Sequence, residues 1–126
     1  MKRELNKKVL AFVIENEETL KRFSKNQLTH FLSYVRKVDG AYRAGHAENP
    51  KELLKRYIQI HLDAKIPDWM LKVEGKTSGE ALIELLELES SEWNEVVKRV
   101  GDLVLLLEIL IEGASIPDFS LKDLLC

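Results

Sequence analysis

The chain has 126 residues, 45% hydrophobic and 32% charged, with a net charge of −2. That balance excludes a disordered polypeptide and is enough for one packed core. Six glycines and three prolines are too few for the many tight turns of an all-β protein, and the single cysteine, Cys126, excludes an internal disulfide.

The first predicted helix runs from about Leu5 towards Phe23. Val9, Leu10, Phe12 and Val13 form its apolar side, and a weak point is expected near Asn16. Ser24-Lys25-Asn26-Gln27 then reads as a capping box. It opens a second helix on which Leu28, Phe31, Leu32, Val35 and Val38 recur at helical spacing, with Gly45 as its stop. Asn49-Pro50 supplies an N-cap and a proline at the first helical position for a third helix. Its face is Leu54, Tyr57, Ile58 and His61. Ile66-Pro67 ends it, because the residue before a proline avoids the helical region, and a short turn over Trp69 to Val73 follows. Thr77-Ser78-Gly79-Glu80 is a second capping box, leading into Ala81, Leu82, Leu85, Leu86 and Leu88. The fifth helix starts near Ser91 and runs to Gly113. It is apolar almost all round, which belongs in the middle of a bundle. Phe119 to Leu124 reads as a final short helix.

The expected fold is therefore all-α: a compact bundle of about six helices forming one domain over residues 1–126. The core is expected at Leu10, Val13, Leu28, Phe31, Leu32, Val35, Leu54, Tyr57, Ile58, Leu85, Val97, Val100, Leu103, Val104, Leu107 and Leu110. An internal repeat underlies part of it. Residues 64–72 and 114–122 share six of nine residues, each copy running Ile-Pro-Asp-aromatic after a long apolar helix. Two similar helix–helix–turn units after an N-terminal helix follow from this, too few for a solenoid. No signal peptide is expected, since the basic start is followed only by the short apolar run Val9 to Ile14. The longest apolar run, Leu103 to Ile111, is interrupted by Glu108 and falls far short of the roughly 20 residues of a membrane span. A cytoplasmic protein is the expectation.

Charge is unevenly distributed. Residues 1–72 hold 15 Lys+Arg and 9 Asp+Glu, so +6, and residues 73–126 hold 4 and 12, so −8. Such a split suggests an acidic partner for one half or a basic partner for the other, or mutual neutralisation within one fold or across a dimer. On the second helix Lys25, Arg36 and Arg43 fall on nearly the same side, with Thr29 between them. Lys51, Lys55 and Arg56 extend the series on the third. A phosphate-backbone track on RNA or DNA has this pattern, and so does a solvated flank whose stems cover the core edge. Tyr34 and Tyr42 are candidates to stack on bases. On the fourth helix Glu80, Glu84 and Glu87 stand at i, i+4 and i+7, followed by Glu89, Glu92 and Glu95. Like charges at that spacing repel unless a partner compensates. The stripe suits the docking of a basic protein, as an immunity protein or antitoxin would use it, or an internal match to the basic helices.

Two short likenesses accompany these patterns. Arg56-Tyr57-Ile58-Gln59-Ile60-His61 resembles the Arg-x4-His motif of helical HEPN-type ribonucleases, although Tyr57 stands where those carry a polar residue. The likeness covers six residues and implies an Arg56–His61 pair converging on a scissile phosphate. Lys25 to Lys37 is similar to a helix of the small α-helical subunit of type III CRISPR effector complexes, which lines an RNA path without catalysis. Thr29 stands where that family carries a basic residue, and the likeness stops at this helix.

His30, His46 and His61 lie on separate segments, so no metal site is expected. No Cys-x-x-Cys pair, calcium loop, Gly-rich phosphate loop or nucleophile elbow occurs. No cofactor, small-molecule substrate or membrane partner is indicated, and an enzyme is the least supported class. The function expected is a non-catalytic interaction protein. Its first version binds a protein, or a second copy of itself, through Glu80, Glu84, Glu87, Glu92 and Glu95. Its alternative is an RNA-binding subunit using Lys25, Arg36, Arg43, Lys51, Lys55 and Arg56.

Overall fold

The computed structural model describes residues 5–20, 25–60, 78–113, 116, 120 and 121. Among them the chain is all-α and contains no strand. Its segments are α1 (Lys7–Glu15), α2 (Glu17–Leu20), α3 (Lys25–Arg43), α4 (Pro50–Tyr57), α5 (Ser78–Leu85) and α6 (Trp93–Gly113).

Each described boundary has a local cause. Asn6 caps α1, its side chain accepting from the backbone N–H groups of Lys8 and Val9. At Asn16 the backbone leaves the helical region, and the side-chain amide donates to the Phe12 carbonyl at 2.9 Å. That competition for a helix carbonyl divides α1 from α2 at the expected weak point. α3 ends on a Schellman motif. His46 N–H reaches the Ala41 carbonyl at 2.8 Å and Gly45 N–H the Tyr42 carbonyl at 3.1 Å, with Gly45 at φ +80°. α4 opens with Asn49 accepting from Glu52 N–H and Pro50 at the first helical position. It narrows the expectation at its other end. The α-helix stops at Tyr57 and widens into a π-type turn over residues 58–60. Ser24 and Thr77 of the two capping boxes, His61, the Ile66-Pro67 stop, the Trp69 to Val73 turn and nearly all of the repeat lie outside the described residues.

α6 is the centre of the packing, touching α1, α2 and α3, while α4 lies on α3 and α5 on α1. Val96, Leu106 and Leu110 on α6 are fully buried, as are Val9 and Val13 of α1, Leu54 of α4 and Leu86 after α5. Thirteen of the sixteen expected core residues are buried; Leu10, Leu32 and Val97 are only half-buried and pack against the core from its edge. Each sits next to a residue that takes the inward position, Val9 beside Leu10, Phe31 beside Leu32 and Val96 beside Val97. Apolar neighbours of this kind share one turn, and periodicity alone does not rank them. Leu121 is fully buried, and its N–H donates to the Glu17 carboxylate at 2.6 Å, which holds that residue beside α2. A buried acid, Asp102 on α6, accepts from the Asn6 backbone N–H at 3.0 Å and holds the start of α1 to the central helix. Among the described residues no helix is long and apolar enough to cross a membrane.

Candidate functional site

The acidic series does not form one helical stripe. Glu80 and Glu84 are exposed on α5, but the helix closes before Glu87. Leu88 N–H bonds to the Ile83 carbonyl and Glu87 N–H to the Glu84 carbonyl, both at 3.1 Å. This is a second Schellman turn, and Glu87 occupies its left-handed position at φ 52°, where glycine is the usual residue. The side chain of Glu87 offsets that strain with three contacts. It accepts from Lys8 of α1 at 2.8 Å and from the Ser91 hydroxyl at 2.9 Å, and it lies 3.2 Å from Arg99 of α6. The hydrogen bond from Lys8, then that from Ser91, hold its carboxyl below the ordinary carboxylate value. Glu89 is held low by Lys55, which bonds it at 2.7 Å, and Lys55 is raised in turn by Glu89. Glu92 is exposed just before α6, and Glu95 lies 3.6 Å from Lys98.

Glu80, Glu84, Glu87 and Glu89 thus border one open cleft of about 1060 Å³ between α1, α4 and α5, together with Lys8 and Lys55. Glu92 and Glu95 do not line it. The cleft is of mixed sign, and two of its carboxylates already hold a lysine.

The basic series divides as well. Lys51 of α4 donates to the Ser91 carbonyl at 3.0 Å, Lys55 is bound to Glu89, and Arg56 lies 3.9 Å from Glu52 on its own helix. These three serve the contact between α4 and the turn after α5, or α4 itself. Lys25, Arg36 and Arg43 remain together on α3, all exposed. Arg43 pairs with Asp39 at 3.0 Å, whereas Lys25 and Arg36 form no ion pair with a described residue. The same outer face carries Asn26, Thr29, His30, Ser33, Lys37 and Gly40, also exposed. Lys37 was missed in the sequence because it lies about 100° round the helix from Arg36; the outward arc is wider than the line through Lys25, Arg36 and Arg43. At one edge a notch of about 260 Å³ separates α3 from α6, bounded by Thr29, Ser33, Arg36 and, from α6, Glu108.

Both candidate stacking residues contact other rings of the protein, although Tyr42 remains 41% exposed. Tyr34 lies on Tyr57 with ring centroids 4.2 Å apart and donates to the Leu53 carbonyl at 3.4 Å. Tyr42 meets Trp93 edge-on at 6.5 Å. The Tyr57 hydroxyl is 2.7 Å from Nδ1 of His30; burial, then Tyr34, raises the phenol above its ordinary value. Arg56 points along the outside of α4 towards Glu52, and its candidate partner His61 is outside the described residues. Among the described residues no three His, Cys, Asp or Glu side chains converge as metal ligands. Comparison with protein-family models, curated proteins and solved structures gives no match to this chain.

Proposed function

We propose that the chain is a non-catalytic, cytoplasmic interaction protein that holds RNA along the outer face of α3. One observation carries the reading: every exposed charged side chain of α3 is a cation, namely Lys25, Arg36, Lys37 and Arg43. The helix's one acid, Asp39, is half-buried and turned to Trp93, whose indole N–H it accepts at 2.8 Å. Lys25, Arg36 and Lys37 form no ion pair with a described residue and so repel one another and Arg43, and a polyanion relieves that repulsion while releasing its counterions. The test is anisotropy of a fluorescein-labelled RNA across a salt series. Three to four phosphate contacts on a single strand give a slope of log affinity against log salt of about −2 to −3. Arg36→Ala should weaken binding and flatten the slope by about one. A flat salt response sinks the reading.

A second reading keeps the acidic side as the working surface, with a basic protein as partner. Its support is that Glu80, Glu84, Glu92 and Glu95 are all exposed. It stands second because Glu87 and Glu89, in the middle of that series, are spent on Lys8 and Lys55. Charge reversal at Glu84 and Glu92 should abolish capture of a stoichiometric basic protein; retention of that partner removes the reading.

A further inference from the structure

Resting on the α3 reading, we infer that the RNA is held by its sugar–phosphate backbone, independently of base sequence, with the Thr29 and Ser33 hydroxyls set against ribose 2′-hydroxyls. The outward arc of α3 has cations along both margins and small polar groups between. Successive residues turn by about 100°, so Lys25, Arg36 and Arg43 share one margin within about 20°, and Lys37 stands about 100° away on the other. Thr29, Ser33 and Gly40 fill the centre, all exposed, and even a Cβ added at Gly40 would meet no atom within 4 Å. From Lys25 to Arg43 the track is about 27 Å long at 1.5 Å per residue. A backbone can therefore approach the helix closely along its middle while its phosphates meet cations at the margins.

The tyrosines that could stack on bases are off this track. Tyr34 and Tyr42 lie about 60° or more outside the arc, on Tyr57 and Trp93. Without tyrosine platforms the contacts on offer are mainly to phosphate, which carry no sequence information, and from hydroxyls to sugar. The 2′-hydroxyl distinguishes RNA from DNA at such a surface.

The experiment measures low-salt anisotropy of the full chain with three labelled oligonucleotides of equal length: a mixed-sequence RNA, an oligo(U) RNA and the DNA version of the first. The two RNAs should bind within about threefold of each other, less than one specific base contact contributes, and the DNA more weakly. The double substitution Thr29→Ala, Ser33→Ala should bring RNA and DNA affinities together. Tyr42→Leu should leave RNA affinity unchanged, while Arg36→Ala lowers it for both nucleic acids. Thermal melting of each variant shows that it is folded. A tenfold sequence preference, loss of affinity in Tyr42→Leu, or an RNA/DNA ratio untouched by the hydroxyl substitutions overturns the inference while leaving the α3 site standing. Absence of binding to all three probes overturns both.

Discussion

Asp39 joins the stability of the bundle to the charge of its candidate site. Its Oδ1 accepts from Nε1 of Trp93 at 2.8 Å, and both its oxygens accept from Nε of Arg43, at 3.1 and 3.0 Å. Trp93 is only 5% exposed, so Asp39→Ala leaves a buried indole N–H without this acceptor, a cost of about 1–3 kcal/mol. The Arg43 pair is exposed and adds only a few tenths of a kcal/mol. A chain of this size loses about 3–5 °C of Tm per kcal/mol, so the Tm followed by circular dichroism should fall by about 3–15 °C. Asp39→Asn keeps a carbonyl oxygen for the indole and should lose less than half as much. The same Asn substitution removes the one negative charge of α3 and releases Arg43, so RNA affinity should rise and its salt dependence should steepen. An unchanged Tm in Asp39→Ala refutes the indole argument. Equal losses for Ala and Asn would assign the effect to the carboxylate's charge and not to its hydrogen bond. Weaker RNA binding by Asp39→Asn would count against α3 as the binding face.

Three further outcomes follow from the packing. Leu110→Ala, at a fully buried position of the central helix, should cost about 3–5 kcal/mol, measured by urea unfolding, and a smaller loss would mean that neighbouring side chains collapse into the space. Asn6→Ala removes the acceptor for two N–H groups of α1 and should cost about 1 kcal/mol, with hydrogen exchange rising selectively in α1. Glu87 and Glu89 have folded values below the ordinary 4.5, so each contributes stability that is complete above that value and is lost as pH falls through the folded one. Acid unfolding should therefore begin below about pH 4.5 and lose steepness in Glu87→Gln and Glu89→Gln; an unaltered acid limb in both would remove these two carboxylates from the account.

What the sequence makes legible is local. Asn49-Pro50 and Gly45 mark helix ends through chemistry confined to a few neighbouring residues, and Asn16 interrupts a helix through its own side chain. The extent of α6 follows from an unbroken apolar pattern. The same pattern conceals which side of α6 is buried: Leu106 is sealed and Leu105 is 36% exposed, one residue apart. Glu87 shows the larger limit. At i+7 from Glu80 it extends a stripe on paper, yet it takes the left-handed position that ends the helix. Its partner Lys8 lies 79 residues away and Arg99 stands on the next helix, so no spacing rule along one helix brings them to it. Asp102 is hidden in the same way, since its partner Asn6 lies 96 residues away. The basic series was legible as residue types but not as a surface, because Lys51 and Lys55 turn to a segment that folding alone brings beside them.

The charge asymmetry of the two halves is partly offset at that junction. Lys8, Lys51 and Lys55 from the basic half all converge on residues 87–91 of the acidic half, at distances of 2.7 to 3.0 Å. Mutual neutralisation therefore operates inside one chain, and it draws on α1 and α4 rather than on α3. Had α3 belonged to the same arrangement, carboxylates would stand opposite Lys25 and Lys37 as they do opposite Lys8 and Lys55. Of the acids beside its margin, Asp39 pairs with Arg43 at 3.0 Å, whereas Glu108 at the notch forms no ion pair with Arg36. A helix that presents four cations outward, of which only Arg43 is paired among the described residues, to the helix's own Asp39, carries an excess of positive charge that the described fold does not neutralise. That excess separates a candidate binding face from an ordinary solvated flank, on which charges of both signs are mixed.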